Sequence, residues 1–422
     1  MKILYVSQYF PPEMGAPAGR AAELSRLWVE DGHEVTVLTG FPNHPTGIVP
    51  PEYRRKFSRL VTREDVEGVD VVRTWLLPFP NRKAYERMLN YSSFCVSSAT
   101  TGVFLDQPDV VIASSPQLLV GLAGWWLARC KGVPFVFEVR DLWPESLAAV
   151  GVGSSNSVLH RSLAKIAEFL YRSCERLVVV TPAFKEYLVE HWRLPEDKIF
   201  VVENGVETSL FSRLTPNIAL RHELGAEEKF VVSYIGTMGN AHGLETLLEA
   251  AALLRERAPK VLFLLVGEGA EKDRILSLAR SRGLTNVRFV DQQPREKIPG
   301  YISASDACLV LLKRNELFKT VLPTKMLEFM SCARPVILGV DGHARTVMEQ
   351  ANGGIFIQPE DSAELAEAVI RLAADSTLRE SLGRNGRQHV LQYFSRQHTA
   401  RIYLDVLQDL LGEGQPCAAA AA

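Results

Sequence analysis

The feature that most restricts this chain is a succession of short, almost uninterrupted aliphatic and β-branched runs, each followed by a loop with Gly or Pro and an amphipathic stretch. KILYVS, EVTVLT, VDVVRT, DVVIAS, FVFEV, LVVVT and IFVVE follow one another in this way in the first half. A strand with one face in water alternates apolar and polar residues. Strands that are apolar at nearly every position suit a parallel sheet covered by helices on both faces. The expected fold is therefore α/β and doubly wound. After Glu203 the pattern lapses in NGVETSLFSRLTPNIALRHELGAEEK and then resumes with FVVSYIG, VLFLLVG, VRFV, ACLVLL, PVILG and GIFIQ. A chain of 422 residues exceeds one ordinary core. The expectation is two Rossmann-like domains, residues 1–204 and 205–394, with a closing helix at about 395–411 packing back on the first and a disordered low-complexity tail at 412–422. Ligands of open α/β sheets bind beyond the carboxyl ends of the strands, so two such domains facing each other imply a cleft.

Charge and cysteine usage narrow the function classes. A net charge of -2 with 23% charged residues argues against a dedicated nucleic-acid binder, which needs a basic balance to neutralise phosphates. Cys95, Cys130, Cys174, Cys308, Cys332 and Cys417 are scattered, with no C-x-x-C pair, so neither a metal knuckle nor a disulfide framework is expected. The N-terminus lacks a secretory pattern, and the most apolar stretch, LLVGLAGWWLA at 118–128, is too short to span a bilayer. A cytoplasmic chain is the expectation.

Candidate chemistry sits where strands meet loops. KILYVS runs into QYFPPEMGAPAGR and a helix, where backbone N–H groups and the helix dipole can hold a phosphate; Gly15 would admit the ligand and Arg20 would add charge. The G-x-G-x-x-G pattern is absent, and GEGAEK at Gly267 carries only its first two glycines, which disfavours a nicotinamide enzyme. FVFEV ends in Arg140 and Asp141, followed by Trp143; such a pair at a strand end suits a polar ligand better than a solvated ion pair. In the second half, Gly236, Thr237 and Gly239 form a Gly-rich turn with His242 close by. Further on, Thr324 and Lys325 open the helix TKMLEFM. A lysine opposes the helix dipole there unless an anion shares the site. Glu328, three residues on, points to the same side, and a carboxylate accepting two hydrogen bonds fits a vicinal diol such as a ribose. Taken singly, such residues are more often exposed surface charges. Their placement between the apolar runs ACLVLL and PVILG favours a site. A basic stretch interleaved with aromatics, YRRKFSRLVTR, includes Arg54, Arg55 and Lys56, and NRKAYERMLNYSSF adds Arg82 and Lys83. Both are candidates for contact with an acceptor or with anionic lipid headgroups, against the alternative of a solvated helix or loop.

These segments together resemble the retaining, nucleotide-sugar-dependent glycosyltransferases of family 4, with the GT-B fold. The resemblance rests on FPPEMGAPAGRAAELSRLWVEDGHEVTVLT, FEVRDLWPES, VVTPAF, VENGVE, SYIGTMGNAHGLETLLEAA, LLVGEGAEKDRI and LPTKMLEFMSCARPVI, in that order over nearly all of residues 1–411. It implies that Gly15, Thr324 and Lys325 meet the donor diphosphate, that Glu328 binds the ribose hydroxyls and that Gln293 lies at the base. Gly236, Thr237 and Gly267 fall in the nucleotide-binding turns. The family's first glutamate of a pair separated by seven residues is Thr320 here, with Glu316 a substitute from the preceding loop. Its usual basic pair is replaced by Thr237 and His242, leaving Lys313, Arg314 and Lys325 as cations. Arg140 stands where a histidine is common, with Asp141 retained; with Lys325 they are the catalytic candidates. These departures resemble the subgroup that includes fucosamine transferases of O-antigen and capsule assembly. The implied activity is metal-independent transfer of a sugar, an acetamido sugar in that subgroup, from a UDP-sugar to a lipid-linked saccharide at the inner face of the membrane. No cofactor beyond the UDP-sugar substrate is implied. An epimerase of UDP-N-acetyl sugars, or a non-catalytic nucleotide-sugar-binding module, are the alternatives that Thr320 keeps open.

Overall fold

The computed structural model of the chain describes residues 1–13, 15–44, 46–80, 84–145 and 158–412. Arg82, Lys83 and the tail beyond 412 lie outside the described residues. The chain forms two compact units, Met1–Asn204 together with the chain from Thr399, and Gly205–His398.

The first unit is built on an eight-stranded sheet of β1 (Lys2–Ser7), β2 (Glu34–Gly40), β3 (Val61–Val66), β4 (Val69–Thr74), β5 (Val110–Ser114), β6 (Phe135–Val139), β7 (Arg176–Val179) and β8 (Ile199–Val201). The spatial order is β3-β4-β2-β1-β5-β6-β7-β8. Every pairing is parallel except β3 with β4. That edge strand corrects the reading of YRRKFSRLVTR as one basic surface segment: a helix, Pro51–Phe57, is followed by a turn and then by Val61–Val66, whose residues alternate between exposed and half-buried. An edge strand open to water needs no apolar run, so the signal that revealed its neighbours was missing. Ile3, Tyr5, Val37, Val71, Ile112, Val136 and Val178 share one core with Trp28 of the helix Ala16–Glu30 and with Tyr403 and Leu407 of the helix Arg396–Leu411. Trp28 donates its indole N–H to Ala400 O at 3.2 Å and meets the Tyr403 ring edge-on at 5.2 Å.

The second unit carries a six-stranded, all-parallel sheet: β9 (Phe230–Ile235), β10 (Val261–Val266), β11 (Val287–Val290), β12 (Ala307–Leu311), β13 (Val336–Gly339) and β14 (Gly354–Phe356), in the order β11-β10-β9-β12-β13-β14. The period of two is visible in its packing. Val231, Ile235, Leu262, Leu264 and Val310 enter one core with Met326, Phe329 and Met330, whereas Val232, Tyr234, Phe263, Leu265 and Leu309 enter the core on the other face with Leu247, Ala251 and Val369. In each sheet the strand order reverses beside one strand, β1 in the first and β9 in the second, and the loops after those two strands hold Gly15 and Gly236. Among the described residues no helix is long and apolar enough to cross a membrane.

Candidate functional site

In the second unit the helix Thr324–Ser331 is set by its own apolar side. Met326, Leu327, Phe329 and Met330 are fully buried, so Lys325 and Glu328, three residues apart, are turned to the opposite side. Lys325 reaches back over the loop after β9. Its Nζ lies 4.3 Å from the Tyr234 ring centroid and donates to Tyr234 Oη at 3.1 Å. A Cβ added to Gly236 would stand 3.4 Å from that Nζ. Burial pushes the Lys325 ammonium down to a pKa of about 7, with the Glu328 carboxylate acting in the other direction. Burial and the Lys325 charge lower His242 to about 3, so its imidazole is neutral.

The glycines beneath Lys325 bring two loops together. Gly267 has φ +149, and a Cβ there would lie 2.0 Å from Gly236 O, which leaves glycine as the residue that fits. Gly236 N–H donates to Val266 O at 2.9 Å and Met238 N–H to Glu268 O at 2.8 Å, locking the two turns to each other. Thr237 O accepts from Tyr234 Oη at 2.6 Å. Lys313 Nζ donates to Asn240 Oδ1 at 2.7 Å. Thr237, His242 and Lys325 are thus gathered round Tyr234, with Gly236 beneath the Lys325 ammonium and Gly267 against Gly236; Tyr234 itself reads in the sequence as one more core position of a strand. Thr324 opens the helix, where first-turn N–H groups lack intrahelical acceptors. The remaining candidates have local partners: Gln293 Nε2 donates to Asp291 O at 3.2 Å, Thr320 Oγ1 to Leu317 O at 2.7 Å, and Glu316 is ion-paired with Lys319 at 2.8 Å on an 85% exposed side chain.

In the first unit Gly15, φ +135, caps the helix Ala16–Glu30. Arg20 does not serve as a phosphate cation. It is fully buried, donates to Glu138 Oε1 at 2.9 Å, and reaches Val202 O and Glu203 O at 3.1 and 3.0 Å. A loop arginine one turn into a helix looks ligand-facing in a sequence; here the inward-facing Glu138 of β6 claims it. Glu13 is missing from the sequence reading altogether. Its Oε1 accepts the backbone N–H groups of Asn43 and His44 at 2.8 and 2.9 Å, tying the loops after β1 and β2 together, and burial raises its carboxyl to about 7. Asn90 joins the same end, bonded to Gln8, Asn43 and Leu77 O. Arg140 and Asp141 follow β6, with Tyr91 and Trp143 rings 6.2 Å apart beside them and burial raising Asp141 to about 6. Of the basic stretch, Arg54 and Arg55 are exposed, whereas Lys56 pairs with Glu64 at 2.6 Å and Arg63 with Asp70 at 2.6 Å. A cavity of about 390 Å³ lies at the amino ends of β1 and β2, the opposite end from Gly15; its charges are satisfied by one another, Lys2 by Glu34 and Arg63 by Asp70.

Of the two Rossmann-like sheets, the second carries a cation over an aromatic ring beside glycine turns and a helix start, a site suited to an anionic ligand. Comparison with known proteins agrees. Residues 15–205 match the family described as glycosyl transferase 4-like domain, and residues 218–389 the family described as glycosyl transferases group 1. The chain is a glycosyltransferase of GT-B architecture made of these two domains. It is 27% identical over 387 residues, 88% of this chain and 92% of the relative, to an Escherichia coli (strain K12) glycosyl transferase named for colanic acid biosynthesis, WcaI. Among solved structures it is similar to a sucrose-phosphate synthase from Thermosynechococcus elongatus (TM-score 0.74, 21% identity, 97% of this chain and 99% of that one). It is also similar to HepE from Anabaena in complex with UDP (TM-score 0.72, 18% identity, 97% and 100%).

Proposed function

We propose that this chain is a retaining glycosyltransferase of family 4 that moves a sugar from a UDP-sugar to a lipid-linked saccharide in cell-surface polysaccharide synthesis. The observation that carries this reading is Lys325, held over Tyr234 against Gly236, with Glu328 one turn further along the same helix side. A diphosphate beside Lys325 would restore the ammonium charge that burial disfavours, and Glu328 is spaced to accept the ribose hydroxyls. Departure of the diphosphate builds negative charge, and the N–H groups at Thr324 and Lys325 together with the Lys325 ammonium are donors suited to stabilising it without a metal ion. Solved complexes of HepE with UDP and with UDP-glucose support the choice of nucleotide, and the name of the colanic acid relative supports a surface polysaccharide as product.

The acceptor belongs, in this reading, to the first unit, with Gly15 touching the donor diphosphate and Arg140 and Asp141 next to the reacting sugar. An acetamido donor is part of this reading, supported by the resemblance to the fucosamine-transferase subgroup. Exposed Arg54 and Arg55, with Leu60 57% exposed close behind, are the groups we assign to anionic headgroups on the cytoplasmic face of the membrane. The test is release of UDP from a panel of UDP-sugars with and without a lipid-linked saccharide. Acceptor-dependent release is expected. Tight UDP binding with no release for any pair would mark a binding module instead, and interconversion of UDP-N-acetyl sugars without acceptor would mark an epimerase.

A further inference from the structure

Among the described residues, the Arg140 guanidinium has two fully buried nitrogens, Nε and Nη1, without a hydrogen-bond partner. Arg176 also leaves one nitrogen unpaired, yet it holds Asp409 at 3.2 Å, whereas Arg140 makes no ion pair with a described residue. The carboxylate of Glu138, two residues earlier in β6, is already committed. Its Oε1 takes Nε and Nη2 of Arg20, at 2.9 and 2.8 Å, and its Oε2 takes the Tyr5 hydroxyl at 2.9 Å and the Ser114 hydroxyl. The Arg20 charge also acts against Arg140. Only the backbone of Arg140 is anchored, its N–H donating to Ser115 Oγ at 2.8 Å. Buried donors of a charged group left without acceptors are unfavourable and call for a partner. The residue as a whole is partly exposed, just beyond the carboxyl end of β6, where the buried Trp143 ring meets Tyr91 edge-on at 6.2 Å.

We propose that Arg140 is the receptor for an anionic group, phosphate or carboxylate, on the saccharide acceptor. This rests on the first unit being the acceptor side and names the chemical class of what it takes. Guanidinium and phosphate or carboxylate oxygens match in charge and in donor geometry. Two parts of an acceptor could supply the group: the diphosphate that joins a saccharide to its lipid, or the carboxylate of an acidic sugar residue. Asp141, next in the chain, limits the affinity by its own charge, so its neutralisation should strengthen binding.

The experiment titrates geranyl diphosphate, octyl glucuronide and octyl glucoside into the full chain saturated with UDP. One of the two anionic probes should bind at least tenfold more tightly than octyl glucoside, and which one does so identifies the source of the anion. Arg140→Gln should lose at least tenfold in affinity for that probe, Arg140→Lys should retain part of it, and Asp141→Asn should not weaken it. Equal binding of octyl glucoside, binding of neither anionic probe, or an unchanged affinity in Arg140→Gln overturns the proposal. If Arg140→Gln does not fold, Arg140→Lys decides: loss of the planar fork should weaken the probe severalfold, and no change overturns the idea. UDP affinity is measured on every variant. Failure of the wild-type chain to bind UDP would overturn the proposed function, whereas intact UDP binding with no Arg140 dependence would overturn this inference alone.

Discussion

Lys325 carries most of the chemistry at the residue scale. Its pKa of about 7 lies well below the ordinary 10.5 because the protonated form loses water in its place over Tyr234. The folded-state value is depressed, so between pH 7 and 10.5 the unfolded chain holds a proton the folded chain has released. This group's contribution to stability is therefore present above that window and is lost as pH falls through 7. A bound diphosphate favours the protonated form, so UDP binding at pH 8 should draw up nearly one proton. Calorimetry in two buffers of different ionisation enthalpy measures this, and the uptake should vanish in Lys325→Met; the same uptake in the variant would rule Lys325 out as its source. Glu328→Ala should weaken UDP by about 1.5–3 kcal/mol, the range for a hydrogen bond to a charged group. Uridine should suffer equally, because the ribose is common to both. An unchanged uridine affinity would remove Glu328 from the ribose.

Elements hold these residues through contacts that leave no slack. The turn after β10 packs on the turn after β9 at Gly267, where both φ +149 and the 2.0 Å approach of a Cβ to Gly236 O exclude a side chain. Gly267→Ala should therefore cost more than about 1 kcal/mol of stability and weaken UDP by displacing Gly236 from beneath Lys325. Chemical denaturation and UDP titration check the two effects, and a variant with native UDP affinity would show that the turn does not position the site. By contrast Thr181, whose hydroxyl accepts from Phe184 N–H at 3.2 Å at the start of the helix Pro182–Trp192, is a cap remote from these turns in the chain. Thr181→Ala should cost about 1 kcal/mol of stability and leave UDP affinity alone.

For the molecule as a whole, the Arg20–Glu138 pair links the first helix, the middle of the sheet and the end of β8 in one buried network. Both side chains are 0% exposed. Removing one charge strands the other in the interior, so Glu138→Ala should destabilise the chain by about 3–5 kcal/mol. A thermal midpoint close to that of the wild type would contradict the network's structural role.

The period of the apolar runs determined two α/β sheets, since a strand buried on both faces has no other composition available to it. The register of Lys325 and Glu328 was equally legible, because four buried neighbours on a short helix leave a single direction for the two charged residues. What the chain could not announce was which charges find one another. β3 reads as charged surface until β4 pairs with it, Arg20 reads as a phosphate ligand until Glu138 takes it, and Tyr234 reads as core until Lys325 folds over its ring. Glu138 lies in β6 and Arg140 just beyond its end, yet only the packing of Arg20, Tyr5 and Ser114 around that carboxylate leaves one arginine satisfied and the other open. Burial patterns are local and periodic and are written in the sequence. Partnership among polar groups depends on distances across the fold, and tertiary structure alone decides it.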